Sequence, residues 1–101
     1  METGYKILEE KTEGASALLK ALANEKRLLI VCLLCKGEKN VGELEQSVGL
    51  SQSALSQHLA RLRRDGIVTT RRAAQTIYYQ LKDPSVPKLL ECLDRIYGDL
   101  C

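Results

Sequence analysis

VGELEQSVGLSQSALSQHLARLRRDG, residues Val41 to Gly66, is the stretch that decides the fold. It divides into a short helix, a tight turn and a longer helix. Glu43–Val48 forms the first piece, with Val41, Leu44 and Val48 at i, i+3 and i+7 on one face. Gly49 stops it, because glycine enters a left-handed turn without steric penalty. Ser51 can cap the next helix, its hydroxyl accepting from an orphan amide of the first turn. That helix is expected from Gln52 to Asp65, with Gly66 ending it.

The angular positions on the second helix carry the functional argument. At about 100° per residue, Leu55, Leu59 and Leu62 share a narrow stripe. Ser53, Ser56, Gln57, Arg61 and Arg64 lie opposite. A leucine seam backed by Ser, Gln and Arg suits a helix that reads DNA. Arg and Gln can bond base edges in pairs, Ser can bond bases or phosphate, and short side chains let the helix sit deep in the major groove. The same face also fits the solvated side of an ordinary surface helix. What flanks it weighs between the two.

The flanking charge favours nucleic acid. Residues 51–82 hold Arg61, Arg63, Arg64, Arg71, Arg72 and Lys82 against Asp65, a surplus of five, whereas the whole chain carries +2. The rest is therefore net acidic. A basic segment within an otherwise acidic chain is the electrostatic footprint of a nucleic-acid binder.

After Gly66, IVTTRR and TIYYQL are rich in β-branched and aromatic residues. They are expected to form a β-hairpin with its tip near Arg72–Gln75, placing Arg71 and Arg72 at the tip. A basic hairpin directly after a reading helix can serve as a wing that touches backbone or minor groove. Its arginines could equally be solvated.

Upstream, residues 1–4 are expected to be frayed and Tyr5 to Ala23 helical, with Leu8, Ala15, Leu18, Leu19 and Leu22 as the apolar stripe. Gly14 within it marks either a break or a close approach to another helix. Asn24 caps a second helix from Glu25 to about Lys36. Its LLIVCLLC core is apolar nearly all round and belongs in the middle of the domain. Downstream, Asp83 and Pro84 start the last helix, where proline is tolerated in the first turn. Val86, Leu89, Leu90, Leu93, Ile96, Tyr97 and Leu100 make a stripe larger than one small domain needs at its edge. That stripe, with the first helix, is expected to form a symmetric dimer interface.

The chain of 101 residues is expected to be one domain, 1–101, with an aliphatic core, since it has no Trp or Phe. The longest apolar run, Leu28–Cys35, is too short to span a bilayer. The acidic N-terminus shows no charged-then-apolar leader. A cytoplasmic location is expected, with no membrane partner. Four cysteines in that compartment are either small buried apolar groups or thiols kept for chemistry, rather than a disulfide framework.

ALANEKRLLIVCLL, VGELEQSVGLSQSALSQHLARLRRDGIV and TIYYQL together resemble the ArsR/SmtB family of winged-helix transcriptional repressors, over about Leu18 to Leu100. The resemblance implies a mainly α fold with a small β-hairpin, a winged helix-turn-helix in the order α-α-α-α-β-β-α, and a homodimer on double-stranded operator DNA. It places Gln52, Ser53, Ser56, Gln57, His58 and Arg61 on the reading helix, with Arg71, Arg72 and Gln75 on the wing, as the DNA-binding set. Gln57 and Ser56 are expected to touch bases. His58 lies at the edge of the leucine stripe, where packing or a phosphate contact suits it better than catalysis or metal binding.

The family's metal sites find no match in this chain. Some members pair cysteines in the first helix of the helix-turn-helix; here that segment, GELEQSV, has none. Others use Asp and His on the last helix; here Asp94 and Asp99 occur without His. Neither a metal by these routes nor a cofactor is expected. Cys32 in IVCLL instead resembles the thiol- and persulfide-sensing branch. There a second-helix Cys works with one near the end of the last helix, and oxidants or reactive sulfur species, acting as inducer, link the two. The branch carries its second Cys directly after the final Tyr. Here Gly98 holds that place and Cys101 follows about one helical turn on. Cys92 is the competing partner, on the other flank of the last helix; Cys101 is preferred because a chain end can move.

Two further alternatives remain. Cys32 and Cys35 could bind a thiophilic metal with Cys92 or Cys101 donated across a dimer, or the winged helix could bind protein rather than DNA. Cys32-Leu-Leu-Cys35 also spells C-x-x-C, but it closes a helix, where the dipole opposes a thiolate, and it lacks a βαβ setting. An enzyme is not expected.

Overall fold

A computed structural model describes residues 2–101. Five helices and three short strands follow in the order α1 (Glu2–Leu22), α2 (Glu25–Cys35), β1 (Lys39–Asn40), α3 (Val41–Val48), α4 (Gln52–Arg64), β2 (Val68–Ala73), β3 (Thr76–Leu81) and α5 (Ser85–Tyr97). Capping sets the boundaries. Asn24 Oδ1 accepts from the amides of Lys26 and Arg27, both at 3.0 Å, and starts α2. Asn40 opens α3 with a reciprocal capping box: its Oδ1 accepts from the Glu43 amide while Glu43 Oε1 accepts from the Asn40 amide. Gly49 closes α3 at φ 67°, and the Ser51 hydroxyl accepts from the Ala54 amide to begin α4.

α2 runs through the middle of the fold, packed by α3, α4, β3 and α5. Its Ile30, Val31 and Leu34 meet Leu44 and Val48 of α3, the α4 seam of Leu55, Leu59 and Leu62, then Ile67, Val68, Val86 and Leu90, in one buried cluster. Arg27 is the charged member of the interior, 8% exposed. Its Nε donates to the Ala21 carbonyl at 2.8 Å and its Nη2 to that of Lys20, so it satisfies carbonyls that the end of α1 leaves open. Lys26 Nζ does the same for Val48 at the end of α3, at 3.1 Å.

Three expectations need correction. The first concerns α1. Residue 1 lies outside the described residues, but residues 2–4 are helical rather than frayed. The helix passes Gly14 unbroken, and a Cβ built there would meet nothing, so no close approach explains it. Leu18 and Leu22 pack as expected, whereas Leu8, Ala15 and Leu19 are exposed, since no element among the described residues faces them. The fold measures 53 × 31 × 21 Å.

The second correction is to the sheet. The expected two-stranded hairpin is the larger part of a three-stranded antiparallel sheet, ordered β1-β3-β2. Lys39 and Asn40 pair with Tyr79 and Tyr78. The turn is Ala74–Gln75, closed by the Ala73–Thr76 pair, with Ala74 left-handed at φ 57°. Arg71 is therefore not at the tip: it pairs with Tyr78, one position further from the turn than the Arg72–Ile77 pair.

The third concerns the C-terminus. α5 starts at Ser85, whose amide donates to Asp83 Oδ1 at 2.8 Å. It does not continue for another turn beyond Tyr97. Gly98 and Asp99 adopt positive φ, 69° and 46°, and reverse the chain.

Candidate DNA interface and thiol pair

The buried seam of α4 orients its opposite face outward. Gln52, Ser53, Ser56 and Gln57 are exposed, and their side chains hydrogen-bond to no other described residue. Arg61 is half-exposed, and both it and Arg64 approach Asp65, each at 3.4 Å. Asp65 thus shares its charge between two guanidinium groups at the end of the helix. These pairs are solvated and screened, so both arginines can exchange partners at little cost.

His58 is half-buried on α4. Burial first, then the neighbouring Arg27 charge, holds its imidazole below the usual histidine range.

The wing presents Arg72 and Gln75 to solvent, flanking the Ala74 turn. Arg71 is engaged elsewhere. Its Nε donates to Glu38 Oε2 at 2.8 Å, its Nη2 donates to Glu38 Oε1, and its guanidinium lies 4.5 Å from the centre of the Tyr78 ring. The hydrogen bond from Arg71 holds the Glu38 carboxyl below the usual carboxylate range.

Ser56, Ala60, Arg63, Arg64 and Tyr79 line an open cleft between α4 and the sheet. Arg63 was not among the expected contacts. It lies between the leucine seam and the Ser56 side of the helix, where a helical wheel alone does not reveal that the sheet builds the other wall.

At the other end of α2, Cys32 and Cys101 are joined in a disulfide, with 5.2 Å between Cα atoms and a sequence separation of 69. Cys32 is 6% exposed. The chain reversal after Tyr97 brings Cys101 back. The Gly98 amide donates to the Asp94 carbonyl at 2.6 Å and the Cys101 amide to Asp94 Oδ1 at 3.0 Å. Asp94 therefore docks the tail with both its backbone and its side chain. Cys35 and Cys92 are free and exposed. Burial, then the Asp94 charge, pushes the Cys35 thiol up, which lowers its thiolate fraction. Among the described residues, no group of three or more His, Cys, Asp or Glu side chains could hold a metal ion. Nor is any described helix long and apolar enough to cross a membrane.

The family model of the bacterial regulatory proteins of the arsR family matches residues 24–70, from the cap of α2 into β2. The transcriptional activator HlyU of Vibrio cholerae serotype O1 is 53% identical over 90 residues, covering 89% of this chain and 83% of that protein. A structure of reduced HlyU from Vibrio cholerae superimposes with a TM-score of 0.87 at 51% identity, over 93% of this chain and 99% of that one. The biofilm growth-associated repressor of Xylella fastidiosa is 42% identical over 90 residues, 89% of this chain and 79% of that protein. A homodimeric winged helix-turn-helix DNA-binding domain from Mycobacterium bovis aligns with a TM-score of 0.78 and 27% identity, covering 90% of this chain and 84% of that one.

Proposed function

This chain belongs to the arsR family of bacterial regulatory proteins, and on that footing we propose a homodimeric repressor whose hold on operator DNA is set by the sulfur chemistry of Cys32 and Cys101. The broader part is plain: the chain is a winged helix-turn-helix transcriptional regulator, and its relatives are regulators rather than enzymes. The proposal adds the contacts, the assembly and the inducer.

Two α4 helices of a dimer enter successive major grooves, about 34–36 Å apart, on a near-palindromic site. Gln57 and Ser56 meet base edges, flanked by Gln52, Ser53 and Arg61. Arg72 and Gln75 approach the backbone or minor groove from the wing. The exposed Gln52, Ser53, Ser56 and Gln57 side chains, without hydrogen-bond partners among the described residues, support this assignment. Homodimerisation is supported by Ile96 and Tyr97, which stand 70% and 73% exposed on α5. The regulator would act in the cytoplasm, where both operator and thiol chemistry are available.

The observation that carries the inducer proposal is the bridge between the core helix α2 and the tail of α5. An oxidant takes two electrons and two protons from the thiols to close the disulfide; a polysulfide can instead place one of its sulfane sulfurs between them, that sulfur acting as the oxidant and the rest of the polysulfide leaving with the thiol protons as hydrogen sulfide. Either product fixes the tail that borders the exposed α5 face. The test is a gel shift on the DNA upstream of the protein's own gene. Reduced protein should retard it, and treatment with peroxide or an inorganic polysulfide should release it. Cys32→Ser should bind the same DNA and ignore both treatments. A Cys32→Ser protein released like wild type would refute the sulfur switch and leave DNA recognition standing.

A further inference from the structure

The sheet has a strap across it. Arg71 leaves β2, passes over the Tyr78 ring of the middle strand at 4.5 Å, and ends on the Glu38 carboxylate, one residue before β1. A single side chain thus spans all three strands. Its far anchor is adjacent to the reading motif, since β1 runs directly into Asn40, the residue that caps α3. The crossing adds a directional side-chain tie between the hairpin and the helix-turn-helix beside the β1–β3 ladder. A forked guanidinium, with two parallel donors on one carboxylate and its face on an aromatic ring, fixes direction as well as distance.

The same geometry changes what Arg71 can offer a polyanion. Its charge is matched by a carboxylate, and two of its donors are occupied. Arg72, its sequence neighbour, makes no ion pair among the described residues. From the crossing contact we infer that Arg71 is a positioning residue, which sets the angle of the wing against α3 and α4, and that Arg72 supplies the wing's phosphate contact. This rests on the DNA-binding reading above, with which it shares the operator.

The test compares wild type, Arg71→Ala, Arg72→Ala and the double variant Glu38→Arg with Arg71→Glu. Operator affinity is measured across a salt series. Each phosphate contact contributes about 0.9 to the slope of log affinity against log salt. Arg72→Ala should flatten the slope by about that amount. Arg71→Ala should bind more weakly at every salt concentration with the wild-type slope. The charge-exchanged double variant should regain wild-type affinity to within about twofold, because the strap is rebuilt with its polarity reversed.

A second arm uses no DNA. Amide exchange at the Lys39–Tyr79 pairing should quicken in Arg71→Ala and slow again in the double variant. A flattened slope in Arg71→Ala, an Arg71→Ala that binds like wild type, a double variant as weak as Arg71→Ala, or unchanged amide exchange would each overturn the inference. Failure of the wild type to bind its operator would remove the DNA reading itself, and with it this role for the strap; the exchange arm tells that failure apart from an absent strap.

Discussion

Opening the Cys32–Cys101 bridge should cost the fold about as much as truncating one of its buried leucines. The two cysteines are 69 residues apart, so the closed loop takes in most of the chain. The chain-entropy relation assigns a loop of that length about 4 kcal/mol at 25 °C. For a domain of this size each kcal/mol moves the melting temperature by roughly 4–8 °C, so reduction should lower it by roughly 15 °C or more. Thermal unfolding followed by circular dichroism, with and without reductant at fixed protein concentration, reads this directly. Thiol titration of the native protein should count two accessible thiols, Cys35 and Cys92, before reduction, and four afterwards. Cys101→Ser should melt with the reduced wild type and ignore reductant. Cys32→Ser should melt lower still, since its hydroxyl replaces a thiol that is 6% exposed. Equal melting temperatures for proteins shown by titration to carry two and four thiols would refute the reasoning. So would a protein that still titrates four thiols after every oxidant tried.

Two other predictions concern the site's surroundings. Ala74→Gly should stabilise the wing turn by up to about 1 kcal/mol, because glycine accepts the left-handed φ of 57° without a Cβ clash; chemical denaturation would measure it, and a destabilised variant would contradict the turn. His58 is held below its ordinary value of 6.5, by burial and then by Arg27, so the fold favours the neutral ring. Its contribution to stability is complete above about pH 6.5 and is lost as pH falls through that value and the lowered folded one. Melting temperatures between pH 7.5 and 5 should fall for wild type and stay flatter for His58→Gln, and identical slopes would rule out the linkage.

What the sequence disclosed was mostly local. Ser51, the leucine seam of α4 and the Gly49 and Gly66 stops act within one or two helical turns, so their spacing alone locates the reading helix. β1 could not be read this way. Two residues carry no periodicity, and Lys39 and Asn40 are extended because Tyr78 and Tyr79 offer them a ladder. The Arg71–Glu38 pair spans 33 residues and has no local signature, so Arg71 was expected at a hairpin tip it does not occupy. Cys101 was expected about one helical turn beyond Gly98. The reversal at Gly98 and Asp99 is what returns the thiol to α2. On α1, Leu8 and Leu19 follow a helical stripe that no element among the described residues covers, so the spacing disclosed the helix but not what its face meets.

The bridge stabilises the protein by more than a switch requires, yet little of that stabilisation can drive one. A 100-fold change in operator affinity needs about 2.7 kcal/mol of coupling. The entropy removed by a 69-residue loop belongs chiefly to the unfolded chain and does not distinguish two folded states. The transmissible part is whatever differs between docked and released forms of residues 98–101. Those residues adjoin Ile96 and Tyr97 on the exposed α5 face, while Cys101 also packs against the core cluster that holds Leu55, Leu59 and Leu62 of α4. The proposed signal can therefore travel through the contact between copies or through the core. Ile96→Asp places a charge on that face and should give a protein of half the wild-type mass by analytical ultracentrifugation. On the first route, that monomer should bind a half-site with the same affinity whether Cys32 and Cys101 are linked or reduced, while the wild-type dimer discriminates on the full operator. A monomer that still responds to its thiol state would show that the signal runs from α2 into α4 directly, and the dimer-borne mechanism would be wrong.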